Sequence, residues 1–282
     1  MSSSSHPCPT PLMLFHGLMS SPQEFGLIAH ALRSKGLRHE APSVPGYTHA
    51  PQQMAPNWRG WRTGAREQLE ERALGDGRVV IGGLCMGGIL AAAAALEAPE
   101  RVAGLVLLSP SFEFDGWGLT WLRHLRHLAY WTGTDRFFAM KERAPYGVKN
   151  EKIRRWIKNE LEQRAQSAAG PARVPLPALR QAEQMLAEVK ARLHELRCPI
   201  LVIHAREDEV SSLAGAQRFF DSLPQADKEL VVLENSYHMV TIDNDRSQLS
   251  VLLDGFVRRI SAPPVPAGHP MDVPVRVYAQ AR

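Results

Sequence analysis

Residues 78–97 constrain this chain more than any other stretch: Arg-Val-Val-Ile-Gly-Gly-Leu-Cys-Met-Gly-Gly-Ile-Leu-Ala-Ala-Ala-Ala-Ala-Leu-Glu. Arg78 to Gly82 is short, apolar and β-branched, which predicts a buried strand. Ile89 to Leu96 is a run of strong helix formers. Between them, Gly83-Leu84-Cys85-Met86-Gly87-Gly88 has the spacing of a nucleophile elbow, with Cys at the centre where Ser is usual. A strand that turns at once into a helix forces its central residue into a strained backbone. A Cβ two positions before or after would clash, and Gly83 and Gly87 remove those carbons. Gly88 and the alanines let the helix lie close to the sheet. Cys85 is then lifted to the sheet top at a helix N-terminus, whose dipole favours a thiolate. A buried Cys in a Gly-rich turn is also ordinary packing, so the stretch alone leaves both readings open.

At 282 residues the chain can bury one large core, and its 44% hydrophobic and 22% charged residues are those of a water-soluble globular protein. The net charge of +4 is spread along the chain, and no nucleic-acid-binding motif accompanies it, which argues against nucleic-acid partners. Residues 1–10 lack a basic and then apolar leader, and no run reaches the length of a membrane span. The three cysteines, Cys8, Cys85 and Cys198, have no metal-ligand spacing. A reducing cytoplasmic setting suits a free thiol. No phosphate loop, metal cluster or dinucleotide fingerprint is present, so no cofactor and no metal is implied.

In chain order, residues 1–10 read as a disordered leader. Leu12 to Phe15 is a strand that ends in His16-Gly17-Leu18-Met19. Phe25 to Lys35 is an amphipathic helix closed by Gly36. Residues 37–57 form a long irregular connection. Asn57 to Leu74 is a helix with Trp58, Trp61, Ala65 and Leu69 on one side. Gly75 to Gly77 turns into the elbow strand. Val102 to Leu108 is another buried strand, and such uniformly apolar strands point to a mostly parallel sheet covered on both faces. From 112 to 197 the rhythm breaks into a basic, helical, Trp-bearing segment, read as an inserted cap. A membrane-surface helix over 117–131 is the alternative there. Residues 199–204 return to the sheet, a strand follows at 229–233, and 244–260 is the last helix. Residues 261–282 read as a flexible tail. The expected domains are thus a core of 11–111 and 198–260 with a cap of 112–197.

Asp208 follows one strand end and His238 the next, and in a parallel sheet all such ends lie on one edge with Cys85 and Leu18. The order nucleophile, acid, histidine fits only one of the known triad arrangements. Glu207, Glu209 and Glu234 are rival acids. Asp243 and Asp245 are expected to cap the final helix. His16 is read as a brace for its loop rather than a base.

The segments Phe15-His16-Gly17-Leu18, Gly83 to Gly88, His204 to Val210 and Ser236 to Thr241 together resemble the α/β-hydrolase fold superfamily. They are nearest its short-cap carboxylesterase and monoacylglycerol lipase branch, and the likeness covers roughly residues 10–260. The resemblance implies an α/β fold: a mostly parallel central sheet flanked by helices, with an inserted helical cap. It implies an enzyme with Cys85 as nucleophile, His238 as base and Asp208 as acid. The backbone amides of Leu18 and Met86 would form the oxyanion hole, and His16 and Gly17 would support the loop. That branch normally uses Ser. Cys at this position occurs in dienelactone hydrolases and polyhydroxyalkanoate synthases. The implied reaction is hydrolysis of an acyl ester or thioester through an acyl-Cys intermediate. The alternative is acyl transfer from a thioester donor, with coenzyme A or an acyl carrier protein as partner, to an amine, alcohol or thiol.

Overall fold

Five largely apolar runs and the short polar pair His39–Glu40 become one parallel sheet. The computed structural model describes residues 10–50, 55–73, 77–119, 124–164 and 166–262. The strands are β1 (Leu12–Phe15), β2 (His39–Glu40), β3 (Val79–Leu84), β4 (Val102–Leu108), β9 (Ile200–Ala205) and β10 (Lys228–Leu233). Their spatial order is β10-β9-β4-β3-β1-β2, with every neighbouring pair parallel. Phe15 pairs with Gly83, and Leu84 with Leu108. The strand ends that carry the expected site residues are therefore level.

Alternate residues of the inner strands enter opposite cores. Met13, Phe15, Ile81, Leu105, Leu107 and Val202 join one cluster with α2 (Trp58–Arg72), α3 (Met86–Glu97) and α7 (Leu213–Ser222). Leu12, Leu14, Val80, Val106, Leu108 and Ile203 join the other with α1 (Gly26–Ser34) and α8 (Arg246–Ser261). A strand with both faces buried must be apolar throughout, which is why these runs show no polar alternation. The α2 stripe is as the spacing predicts, since Trp58, Trp61, Ala65 and Leu69 are all buried. The chain goes outward from β1 to β2 and then returns to the other side of β1 as β3. The direction of winding thus reverses between β1 and β3, and a crevice opens at their carboxyl ends.

The segment between β4 and β9 differs from the all-helical expectation. It holds α4 (Leu125–Thr132), α5 (Glu151–Arg164) and α6 (Leu176–Arg192). It also holds two short antiparallel ladders. One pairs β5 (Ala139–Lys141) with β8 (Arg173–Pro175), and the other pairs β6 (Gln166–Ser167) with β7 (Gly170–Pro171). Such two- and three-residue pairings carry too little side-chain period to be seen in sequence. On α6, Ala182, Met185, Leu186 and Val189 join the same cluster as α2 and α3. Of the expected leader over 1–10, the turn over Gly75 to Gly77 and the tail over 261–282, residues 1–9, 75–76 and 263–282 lie outside the described residues. No helix among the described residues is long and apolar enough to cross a membrane.

Candidate active site

The elbow is a steric necessity. Cys85 has φ 56 and ψ −122, a left-handed conformation that costs an L-residue on the order of 1–3 kcal/mol and persists only where the surroundings enforce it. A Cβ on Gly83 would stand 2.3 Å from the Gly87 backbone carbon, and one on Gly87 would stand 2.1 Å from the Phe15 oxygen. The corner therefore closes only with hydrogen at both positions. Helix α3 begins at Met86, three residues earlier than its helix formers suggest, so its amide end sits directly behind the thiol.

His238 reaches the same point from the loop after β10. Its Nδ1–H donates to Asp208 Oδ2 at 2.8 Å, which leaves Nε2 toward Cys85, whose side chain is within hydrogen-bonding reach. Burial pulls the His238 imidazole down, but the Asp208 carboxylate and the Cys85 sulfur outweigh it and hold the ring well above its ordinary value. Burial pushes Asp208 up, and the attraction of His238 reverses that, so its carboxyl stays below the usual range. Asp208 is fixed in turn by the amides of Val210 at 2.8 Å and Ser211 at 2.9 Å, which donate to Oδ1. The arrangement can take a proton from a thiol at Nε2 while a buried carboxylate holds the other nitrogen.

The remaining expected residues fall into place around this pair. Gly17, Leu18, Cys85, Met86 and His238 line one cavity of about 190 Å³, roofed by Met140, Val174 and Leu179 of the inserted segment. His16 points away from it. Its Nδ1 donates to the Gly17 carbonyl at 2.8 Å. The Thr48 hydroxyl already accepts the Val44 amide, so its proton goes to His16 Nε2 at 2.8 Å. His16 also stacks on Tyr47, whose hydroxyl donates to the His16 carbonyl. Burial drives this imidazole down to about 4, partly offset by the Gly17 carbonyl. His16 is a neutral brace, and the long 37–57 connection supplies its partners.

The rival acids have other partners. Glu207 is ion-paired with Lys149, and Glu234 with Arg206. Glu209 accepts the backbone N–H of His238 at 3.2 Å rather than its ring. Asp243 and Asp245 do not cap α8 as expected. Asp245 stands at the N-cap without a side-chain cap bond. It accepts from the Asn235 amide and the Ser236 hydroxyl. Asp243 accepts from the amides of Lys149, Asn150 and Tyr237. A loop that must be held in a fixed shape beside His238 offers these carboxylates more donors than the helix end does.

Two contacts at the site have no signature in the chain. The Ser111 hydroxyl, fully buried just after β4, lies 3.2 Å from Cys85 Sγ. Glu24 is buried and accepts the Gly17 N–H at 2.7 Å. Burial pushes its carboxyl up to about 7, against the pull of its hydrogen bonds and of His238. Only the elbow and the His-Gly strand end, which fix where the cavity lies, could have drawn attention to Ser111 and Glu24. Glu209, already a rival acid in the sequence, is pushed up by burial too, against the pull of His238. Among the described residues no cluster of three or more His, Cys, Asp or Glu could hold a metal ion.

Solved structures share this architecture. A soluble variant of monoglyceride lipase from Saccharomyces cerevisiae, in complex with a substrate analogue, superposes with a TM-score of 0.74 at 12% identity, covering 93% of this chain and 90% of that one. The monoacylglycerol lipase of Paleococcus ferrophilus gives a TM-score of 0.70 at 16% identity, covering 90% and 97%. In sequence, a thermostable monoacylglycerol lipase of Bacillus sp. (strain H-257) is 25% identical over 247 residues, 86% of this chain and 87% of that protein. Residues 10–245 match the family described as Serine aminopeptidase, S33, and the chain belongs to that family of α/β-hydrolase enzymes, near the monoacylglycerol lipase branch of the superfamily.

Proposed function

We propose that this protein is an acyl hydrolase that cleaves esters or thioesters through a covalent acyl–Cys85 intermediate. The observation that carries the reading is the strained Cys85 within reach of a histidine whose far nitrogen is bound by Asp208. His238 Nε2 takes the thiol proton, and the sulfur attacks the acyl carbonyl. The oxyanion forms beside the backbone N–H groups of Leu18 and Met86, at about 2.7–4 kcal/mol per donor if each matches a characterised protease. The neighbouring Gly17 N–H is already committed to Glu24. The intermediate collapses, and the alcohol or thiol leaves with the proton from His238. Water then gives a proton to His238 and attacks the thioester. The acid departs and Sγ regains its proton. Asp208 keeps the imidazole in its Nδ1–H form throughout.

The acyl chain would lie in the cavity beneath residues 112–197, which act as a cap in this reading. Likeness to proteins named as monoacylglycerol lipases supports a glyceride or similar ester as substrate. The sulfur favours an added possibility, because thioesters pass their acyl group readily to amines and thiols. Intact mass after exposure to mixed acyl esters and thioesters tests the reading. One acyl group should appear on the wild-type chain and none on Cys85→Ala. Free acid as the sole product with acceptors present would exclude transfer, and no adduct and no turnover would overturn the hydrolase itself.

A further inference from the structure

Strand β9 carries one polar side chain, and it stands behind Asp208. The other residues of Ile200–Ala205 are apolar, and His204 is fully buried with them. An imidazole in the interior is costly unless its polar atoms are used. One of them is. Nε2 lies 2.9 Å from the Ser211 carbonyl oxygen. A carbonyl only accepts, so Nε2 carries the proton and donates it. Nδ1 has no hydrogen-bond partner among the described residues, so a proton added there would meet no acceptor. Burial holds the ring below its ordinary value, helped by His238 and against the pull of Asp208, the Ser211 carbonyl and Asp115. His204 is thus a neutral ring with its one N–H aimed at one carbonyl.

That carbonyl belongs to the turn that holds Asp208. The amides of Val210 and Ser211 donate to Asp208 Oδ1 at 2.8 and 2.9 Å. Asp208 Oδ2 takes the His238 Nδ1–H at 2.8 Å. The two oxygens of a carboxylate are rigidly linked, so whatever fixes Oδ1 also fixes where Oδ2 points. Ser211 is gripped on both sides, its amide by Asp208 and its carbonyl by His204. Without the second grip the turn can rotate, and the carboxylate with it. His204 Nε2 also lies 3.7 Å from Oδ2, too far for a hydrogen bond, so the neutral ring leaves that oxygen to His238. His204 does not line the Cys85 cavity, and any effect it has on the thiol passes through Asp208.

We propose that His204 is a positioning residue for the site of Cys85, His238 and Asp208, pinning the Ser211 carbonyl so that Asp208 Oδ2 stays aimed at His238 Nδ1. Its effect on turnover rests on the hydrolase reading, whereas its effect on the thiol does not. The test is iodoacetamide alkylation of Cys85 in the full chain as a function of pH, followed by peptide mass mapping. His204→Gln keeps an N–H that can reach Ser211, and His204→Phe keeps the bulk and loses the donor. An Asp208 that drifts from His238 supports the imidazolium less, so the thiolate beside it forms at higher pH. The Gln variant should keep the wild-type midpoint to within about 0.3 pH units, and the Phe variant should raise it by about one unit, a tenfold loss of rate on the low-pH limb. Glu24, Glu142 and Glu209 also face His238, but they are common to all three proteins, so a difference reports on residue 204. With a water-soluble short-chain thioester, the Phe variant should lose about tenfold or more in kcat with KM changed less than about twofold. A side chain that only fills space would lower Tm and leave the midpoint where it was. If the Phe variant does not fold, nitrogen NMR of the wild-type imidazoles still decides, since His204 should be neutral with its proton on Nε2 at about pH 7. A midpoint unmoved in the Phe variant, a shift shared equally by Gln and Phe, or a wild-type His204 with its proton on Nδ1 would overturn the proposal. The expected midpoints without wild-type turnover of any ester or thioester would sink the hydrolase reading and leave the positioning role standing.

Discussion

The thiol at Cys85 is partly exposed in a cavity, and the other described cysteine is buried. Cys198 is 7% exposed, and burial pushes its thiol up to about 11. Iodoacetamide should therefore alkylate Cys85 at least about a hundredfold faster than Cys198. His238→Ala should slow Cys85 by roughly 10²–10⁴ if the imidazole withdraws the thiol proton. Equal rates at the two cysteines by peptide mass mapping would reduce the elbow to packing. Ser111 makes a finer case. Its hydroxyl can donate to the sulfur across 3.2 Å, and a hydrogen bond to a charged acceptor contributes about 1.5–3 kcal/mol. Ser111→Ala should slow alkylation of Cys85 by roughly tenfold or more while Tm stays near the wild-type value. An unchanged rate would show that the hydroxyl only fills space. Cys85 itself was legible because its glycine neighbours announce the corner. Ser111 was not, because a serine after a strand has no spacing relative to a thiol on another strand.

At the level of elements, the loop after β1 is held by two buried titratable groups with opposite tendencies. Glu24 is raised from 4.5 to about 7, and His16 is lowered from 6.5 to about 4. A carboxyl raised by folding stabilises fully below its unfolded value, and that contribution is lost as pH rises through about 7. A histidine lowered by folding contributes fully above 6.5, and its contribution is lost as pH falls toward about 4. Between these limits the two slopes oppose each other. Glu24→Gln removes only the first. The variant should lose stability on going from pH 6.5 to pH 4, by up to on the order of 3 kcal/mol, where the wild type changes less. Parallel Tm profiles for the two proteins would show that Glu24 is not protonated on folding. The strand and the His-Gly end could be read from the chain, but Glu24 lies in a 3-10 turn whose only link to Gly17 is tertiary.

Across the whole molecule, Asp243 joins the stretch between β4 and β9 to the loop that carries His238. It is fully buried and accepts N–H groups from Lys149, Asn150 and Tyr237. Asp243→Ala strands those three donors and should cost roughly 2–5 kcal/mol in chemical denaturation. It should also lower turnover more than it lowers Tm-matched secondary structure, because the His238 loop loses its anchor. A variant with wild-type stability would show that solvent replaces the carboxylate. The sequence by itself determined the parallel sheet, its two-sided burial and the strand ends that gather Cys85, Asp208 and His238. Each of those follows from local steric demands or from an apolar period within a few residues. Only the tertiary structure decided that Glu209 meets the backbone of His238 and not its ring, that Asp243 and Asp245 hold a loop instead of a helix end, and that α4 faces outward. Those outcomes depend on donors and surfaces supplied by segments up to a hundred residues away, and a local pattern carries no record of what another part of the chain will bring to it.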